Sequence, residues 1–324
     1  MEFSNILIRA TNWVGDAVMC LPALAAIRSR FPGARISILA KPWVADIYAR
    51  ESFTDEIILY DGARWKTARS LRAKRFDAAI LLQNAFEAAL IVWLAGIPNR
   101  IGYNCDARGF LLTRAVPPPR PGEIPLHQRF YYLELLRRAG ILDRLPESDA
   151  IRLRGVPSAR RKVIGVSPGA AYGTAKQWLP ERFAEAAARV ASQRGCTIAL
   201  FGSKGERALC EQVAAKLNGY GVTNYAGETT LAQFITKAAE CELFLTNDSG
   251  PMHIASALGV PTVAVFGATD DAATGPTGPL ARVVREPVEC SPCLLRECPI
   301  DHRCMQRVSA ERVAREALSL LNGR

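Results

Sequence analysis

The stretch ILIRATNWVGDAVMCLPAL, residues 6–24, decides the fold. ILIRA reads as a strand, DAVMCLPAL as the start of a helix, and TNWVG as the first strand-to-helix turn. The same unit recurs along the chain. Strand-like runs follow at RISILA (35–40), EIILY (56–60) and DAAILLQ (77–83), then at KVIGVS (162–167), TIALFG (197–202), ELFLTN (242–247) and PTVAVFG (261–267). Short apolar runs separated by amphipathic helical stretches predict an α/β fold with parallel sheets covered by helices on both faces. In a doubly wound protein the first such turn commonly carries a glycine-rich phosphate loop. Here it carries one glycine, a Trp and an acid, Asp16. A carboxylate there would repel a phosphate, so Asp16 is either the N-cap of a helix over 16–30 or a group with chemistry of its own.

A length of 324 residues suits two domains with cores of their own. The expected division is 1–157 and 158–324, two facing Rossmann-like halves joined through the linker RLRGVPSARRK (152–162). AVPPPRPGEIP (115–125) reads as a Pro-rich loop and HQRFYYLELLRRAGI as the helix after it. No run approaches 18 apolar residues, so no membrane span is expected. MEFSNILIRA lacks the basic region and cleavage site of a signal peptide. Nine cysteines, an odd number, several of them inside apparent helices and strands, point to a reducing cytoplasm.

The net charge of +10 calls for an anionic partner. Residues 63–75 hold six Lys or Arg and no acid, and residues 152–162 hold five. Such runs are most often solvated faces or linkers. No nucleic-acid motif accompanies them, so the expected partners are an anionic acceptor and an anionic lipid surface, with nucleic acid left out.

The second half carries the anion chemistry. VSPGAAYGTAKQWLPERFAEAAARV (166–190) begins at a strand end, with Pro168, Gly169 and Gly173 keeping the turn open and Pro180 starting a helix. Lys176 closes this loop and can meet a phosphate as a point charge, or can be an ordinary surface lysine. FLTNDSGPMHIASALGV (244–260) is a second strand-to-helix loop. Asp248 and Ser249 are candidate caps there, and the N–H groups of Ser249, Gly250 and Met252 are candidate anion donors, with His253 just inside the helix. Two phosphate-competent loops in one domain suit a diphosphate. Glu206, after the strand TIALFG, can accept from ribose hydroxyls or simply open a helix. Neither G-x-G-x-x-G nor G-x-x-x-x-G-K-[ST] occurs, which argues against a standard NAD site or a P-loop. CSPCLLRECPIDHRC places Cys290, Cys293, Cys298 and Cys304 around His302. These are enough ligands for a structural zinc, though not at common finger spacings; reduced packing cysteines or a redox-labile pair are the other readings.

NWVGDAVMCLPAL, PGAAYGTAKQWLPERFAE, AGETTLAQFITKAAECELFLTNDSGPMHIASALGVPTVAVFGAT and CSPCLLRECPIDHRCM together resemble glycosyltransferase family 9, and within it the type II heptosyltransferases. The resemblance implies a GT-B fold with an interdomain cleft, the acceptor on the N-terminal domain and ADP-heptose on the C-terminal one. It implies transfer of an L-glycero-D-manno-heptosyl group, with anomeric inversion, to the heptosyl-Kdo2-lipid A inner core of lipopolysaccharide at the cytoplasmic face of the inner membrane. By the same resemblance Asp16 falls on the general base and Lys176 on the lysine at the donor's phosphates. Glu206 falls on the acid at the nucleoside, and Asp248, Ser249, Gly250 and His253 on the loop around sugar and phosphates. Thr229 replaces an apolar residue against adenine, and Ala171 and Tyr172 depart from the hydroxyl residues of the type I branch. No D-x-D motif is present to bridge a metal to a diphosphate, so no cofactor is expected for transfer. The alternatives are a family 9 enzyme for another nucleotide sugar, or a nucleotide-sugar or anionic-glycolipid binding module without catalysis.

Overall fold

The computed structural model describes residues 2–146, 150–154, 156 and 160–323. Contacts divide the chain into two compact units, Met1–Ser148 and Asp149–Arg324. This places the boundary before the expected 157/158. The N–H of Leu153 donates to the Ala257 carbonyl at 3.0 Å and that of Ile151 to Thr277 Oγ1 at 3.0 Å, which fastens 150–154 to the second unit. Of the expected linker, residues 155 and 157–159 lie outside the described residues.

The first unit contains β1 (Asn5–Arg9), β2 (Arg35–Ala40), β3 (Glu56–Leu59), β4 (Ala78–Leu81), β5 (Asn99–Tyr103) and β6 (Arg114–Val116). They form one parallel sheet in the order β3-β2-β1-β4-β5-β6. The second unit contains β7 (Arg161–Ser167), β8 (Thr197–Leu200), β9 (Val222–Asn224), β10 (Cys241–Asn247), β11 (Thr262–Val265) and β12 (Ala281–Val284). Its order, β12-β11-β10-β7-β8-β9, is the same doubly wound arrangement repeated. Both match the α/β expectation, and in each unit the order reverses beside the first strand. Ligands of such sheets bind at that switch point, outside the carboxyl ends of the strands.

The central strands are buried on both faces, which is why they read as continuous apolar runs rather than as alternation. Ile6, Leu7 and Ile8 of β1 are fully buried, as are Leu243, Phe244 and Leu245 of β10. Each such side chain removed from water contributes about 1.5–3 kcal/mol. The expected 16–30 helix is two helices, Val14–Met19 and Leu21–Arg30, parted at Cys20. Pro22 has no N–H to give to the preceding turn, so one ladder cannot run through. The Pro-rich loop at 115–125 begins inside β6, whose Arg114–Val116 pair with Ile101–Tyr103.

Candidate active site

In the first unit, the turn from β1 into the Val14–Met19 helix is pinned by two side chains. Arg9 is buried, donating through Nη1 to the Ala10 carbonyl at 2.7 Å and through Nη2 to Asn12 Oδ1 at 3.1 Å. Burial pushes its guanidinium down to about 10. Trp43 Nε1 donates to the Asn12 carbonyl at 2.8 Å. The N-cap of this helix is Trp13, not Asp16, and no side chain caps it. Asp16 therefore lies at the third helical position, half-buried, where the helix dipole favours its charge. Its Oδ1 accepts from Tyr132 Oη at 2.9 Å, from the Gln128–Arg138 helix. Burial, then the Asp16 carboxylate, raises the Tyr132 phenol well above its ordinary range, so it keeps its proton and donates.

The carboxyl edge of this sheet carries a row of exposed rings. Trp13 follows β1, Trp43 follows β2, Trp65 follows β3, Phe86 follows β4 and Phe110 follows β5, and all are exposed. The basic run 63–75 is a helix over Arg64–Ala73 with Thr67, Ala68 and Leu71 buried. Trp65, Lys66, Arg69, Ser70 and Ala73 line an open surface depression on its other side. Four of the run's six cations have partners: Arg64 pairs with Glu87 at 2.8 Å, Lys66 with Asp61 at 3.9 Å and Lys74 with Glu56 at 2.5 Å, and Arg72 donates to the Leu94 carbonyl at 2.7 Å.

In the second unit, the loops after β7 and β10 meet at the switch point. Lys176 Nζ lies 2.5 Å from Asp248 Oδ2, with side chains 12% and 4% exposed, so Lys176 is no surface lysine. Thr269 Oγ1, buried, donates to the same Oδ2 at 2.6 Å. Lys176 Nζ also sits 4.7 Å from the centre of the Tyr172 ring. Asn247 ties the two loops together: its Nδ2 donates to the Pro168 carbonyl at 2.7 Å and its Oδ1 accepts the Trp178 N–H at 2.9 Å. Trp178 is buried edge-on to Phe183, 4.9 Å between ring centres, and anchors the chain just past Lys176.

The Gly250–Ala257 helix starts at Ser249 with no side-chain cap. The expected capping by Asp248 and Ser249 does not occur, because Asp248 is taken by Lys176 and Thr269. Met252 is spent as a donor, its N–H going to the Ser249 carbonyl at 3.1 Å, so it drops out of the expected anion set. Ser249 and Gly250 remain at the open first turn. His253 is buried within the helix. One oxygen of Glu206 accepts the Ser203 N–H at 2.7 Å in a capping box, the helix-opening reading, while the other packs against Gly169 where a β-carbon would stand. Asn247 and Thr269 were not singled out from the sequence. A buried amide ending strand β10, in TNDSG, is the signal that was available for the first; nothing in the sequence marks the second.

The four cysteines of the segment differ in exposure. Cys290 is exposed, Cys293 and Cys298 are intermediate, and Cys304 is buried, all four as free thiols. Among the described residues no three His, Cys, Asp or Glu side chains are grouped to hold a metal. Burial, then the neighbouring thiols Cys290, Cys293 and Cys298, raises the Cys304 thiol above its ordinary range.

The description "Glycosyltransferase family 9 (heptosyltransferase)" belongs to the family whose sequence profile matches residues 64–303. Lipopolysaccharide heptosyltransferase 2 of Escherichia coli K12 is 33% identical over 308 residues, covering 87% of this chain and 88% of that protein. Lipooligosaccharide heptosyltransferase 2 of Campylobacter jejuni is 31% identical over 328 residues, covering 98% of each. The solved structure of E. coli ADP-heptose lps heptosyltransferase II superposes with a TM-score of 0.83 at 31% identity, covering 100% of this chain and 99% of that one. With this GT-B architecture and these motifs, the chain belongs to glycosyltransferase family 9 and is a glycosyltransferase.

Proposed function

We infer that this enzyme transfers L-glycero-D-manno-heptose from ADP-heptose, with anomeric inversion, to the heptosyl-Kdo2-lipid A inner core of lipopolysaccharide. The Lys176–Asp248 pair carries the reading: a nearly buried ammonium, 2.5 Å from a carboxylate, where two strand-to-helix loops meet. A cation fixed there, beside the uncapped start of the Gly250–Ala257 helix, takes up the charge of a departing diphosphate. Both bonds to Asp248 fall on Oδ2, which leaves Oδ1 for hydroxyls of the donor sugar.

The acceptor oxygen attacks the anomeric carbon opposite the leaving group. Its bond to that carbon forms as the bond from carbon to the ADP oxygen breaks, and its proton passes to Asp16. The carboxylate is held ready for that proton by the helix dipole and by Tyr132. This also accounts for an acid in the first turn: the anion chemistry belongs to the second unit, and the first unit needs a base.

We place the enzyme at the cytoplasmic face of the inner membrane, on an anionic surface. Exposed Trp65 beside Lys66 and Arg69 supports this, since an amphipathic tryptophan with lysine and arginine suits the headgroup region. Among the described residues no helix is long and apolar enough to cross a membrane. Incubation with ADP-heptose and heptosyl-Kdo2-lipid A tests the function: ADP release with one heptose mass added to the acceptor is expected. Transfer from a different nucleotide sugar in a donor panel, with none from ADP-heptose, would overturn it.

A further inference from the structure

The cysteine-rich segment has no part in the chemistry above, yet it touches the loop after β7 that carries Lys176 and the loop after β11 that carries Thr269, the partner of Asp248. On one side it grips the residue before Lys176 by both polar groups of its backbone. The Ala175 N–H donates to the Arg296 carbonyl at 2.9 Å, and the Ala175 carbonyl lies 3.0 Å from His302 Nε2. A carbonyl only accepts, so Nε2 carries the proton, in the neutral ring and in the imidazolium alike. Tyr172, whose ring lies under Lys176 Nζ, donates from Oη to the Leu294 carbonyl at 2.8 Å. A β-carbon at Gly173 would collide with the Arg296 carbonyl, so the loop lies against the segment with no space between.

On the other side the segment holds the chain that leads to Thr269. The Leu294 N–H donates to the Ala268 carbonyl at 2.8 Å, and Ser291 Oγ to the Gly267 carbonyl at 2.5 Å. One segment thus fixes the residue before Lys176 and the residue before the hydroxyl that holds Lys176's partner.

We propose that residues 290–304 are a clamp on the donor loop, and that His302 is a positioning residue acting on the donor diphosphate through Lys176. The proposal rests on the reading of Lys176 as a diphosphate ligand. It gives the segment a role of its own: its backbone is threaded between the two loops at Leu294 and Arg296, and His302 closes it onto Ala175. Because the ring donates in both protonation states, the clamp does not release with pH.

The test uses ADP as the probe, with binding to the full chain measured by calorimetry. His302 has a left-handed backbone with φ of 56°, and Ala and Gln incur similar strain there. The difference between His302→Ala and His302→Gln therefore isolates the side-chain hydrogen bond. His302→Ala is expected to weaken ADP binding about tenfold, and His302→Gln, whose amide N–H reaches as far as Nε2, to recover most of that loss. In a Lys176→Ala background, His302→Ala is expected to add less than about twofold, as coupled residues do. Wild-type ADP affinity in His302→Ala, equal losses in the Ala and Gln variants, or a full tenfold loss on top of Lys176→Ala would each overturn the proposal. If Lys176→Ala alone binds ADP as tightly as wild type, the diphosphate reading falls first and this one with it.

Discussion

Tyr132 Oη lies 2.9 Å from Asp16 Oδ1, a phenol from the Gln128–Arg138 helix donating to a carboxylate on the first turn of the Val14–Met19 helix. The bond favours the ionised carboxylate, the form that can take a proton from an acceptor hydroxyl. Tyr132→Phe removes the donor and keeps the ring. The carboxylate then becomes more basic, and the acid limb of the kcat/KM profile moves to higher pH. An acid limb that stays in place would remove Tyr132 from the mechanism.

The same phenol has a signature at alkaline pH. Its proton is held more tightly in the folded chain than in the unfolded one, where tyrosine titrates near about 10. The stabilisation is therefore complete below pH ~10 and lost as pH rises beyond it. Wild type should lose melting temperature above that pH more steeply than Tyr132→Phe. Parallel curves for the two proteins would contradict this.

Thr269→Val keeps the shape and deletes the hydroxyl that donates to Asp248 Oδ2 at 2.6 Å. With one of its two partners gone, the Asp248 carboxylate, 4% exposed, is expected to cost the fold about 1–2 kcal/mol and to weaken ADP-heptose binding roughly three- to tenfold. Calorimetric unfolding and donor titration measure both. Unchanged donor affinity would show that Asp248 does not shape the donor site.

Transfer is expected to proceed without a divalent ion. The leaving diphosphate has Lys176 and an uncapped helix start to receive its charge, and the sequence contains no D-x-D motif. Dialysis against EDTA should leave the rate within about twofold. A rate abolished by EDTA and restored by Mg²⁺ would contradict it.

The membrane reading is narrowed by the ion pairs. Lys74 is paired with Glu56 and Arg72 is bonded to the Leu94 carbonyl, so their removal tests stability as much as lipid. Lys66 and Arg69 are exposed beside Trp65 and line the surface depression with it. Replacing Lys66 and Arg69 with Gln should lower affinity for vesicles of anionic phospholipid by an amount on the order of 1 kcal/mol per charge, with the wild-type affinity falling as salt rises. Vesicle binding indifferent to salt and to both substitutions would refute it.

The sheets were legible in the sequence where the strands are central. ILIRA, RISILA, ELFLTN and PTVAVFG are apolar on both faces and could hardly be read otherwise. The four strands missing from the sequence reading are β5, β6, β9 and β12, which flank the centre or form its edges. NRIGY, RAV, VTN and ARVV are short or polar, and only pairing with a strand already in place makes them strands. The site was legible as loops and charge types: Lys176 and Asp248 were both named. Their pairing was not, because 72 residues separate them and only the switch point brings them together. Tyr132 lies 116 residues from Asp16 and looks from sequence like one more core aromatic. Capping was one of the open readings at both helix starts, and it occurs at neither. Asp16 and Asp248 are residues that cap well, and each is instead turned to another partner.

The central claim is that Asp16 is the base. At the third helical position it is not a cap, so Asp16→Asn should change stability by no more than about 0.3–1 kcal/mol, the loss of a favourable charge at a helix start. An amide still accepts from Tyr132 but cannot keep a proton. Single-turnover transfer with saturating ADP-heptose and acceptor measures this directly. The account predicts a near-native melting temperature, near-native donor affinity and a rate reduced about 10²–10⁴-fold. An Asp16→Asn enzyme that transfers heptose at close to the wild-type rate would contradict it.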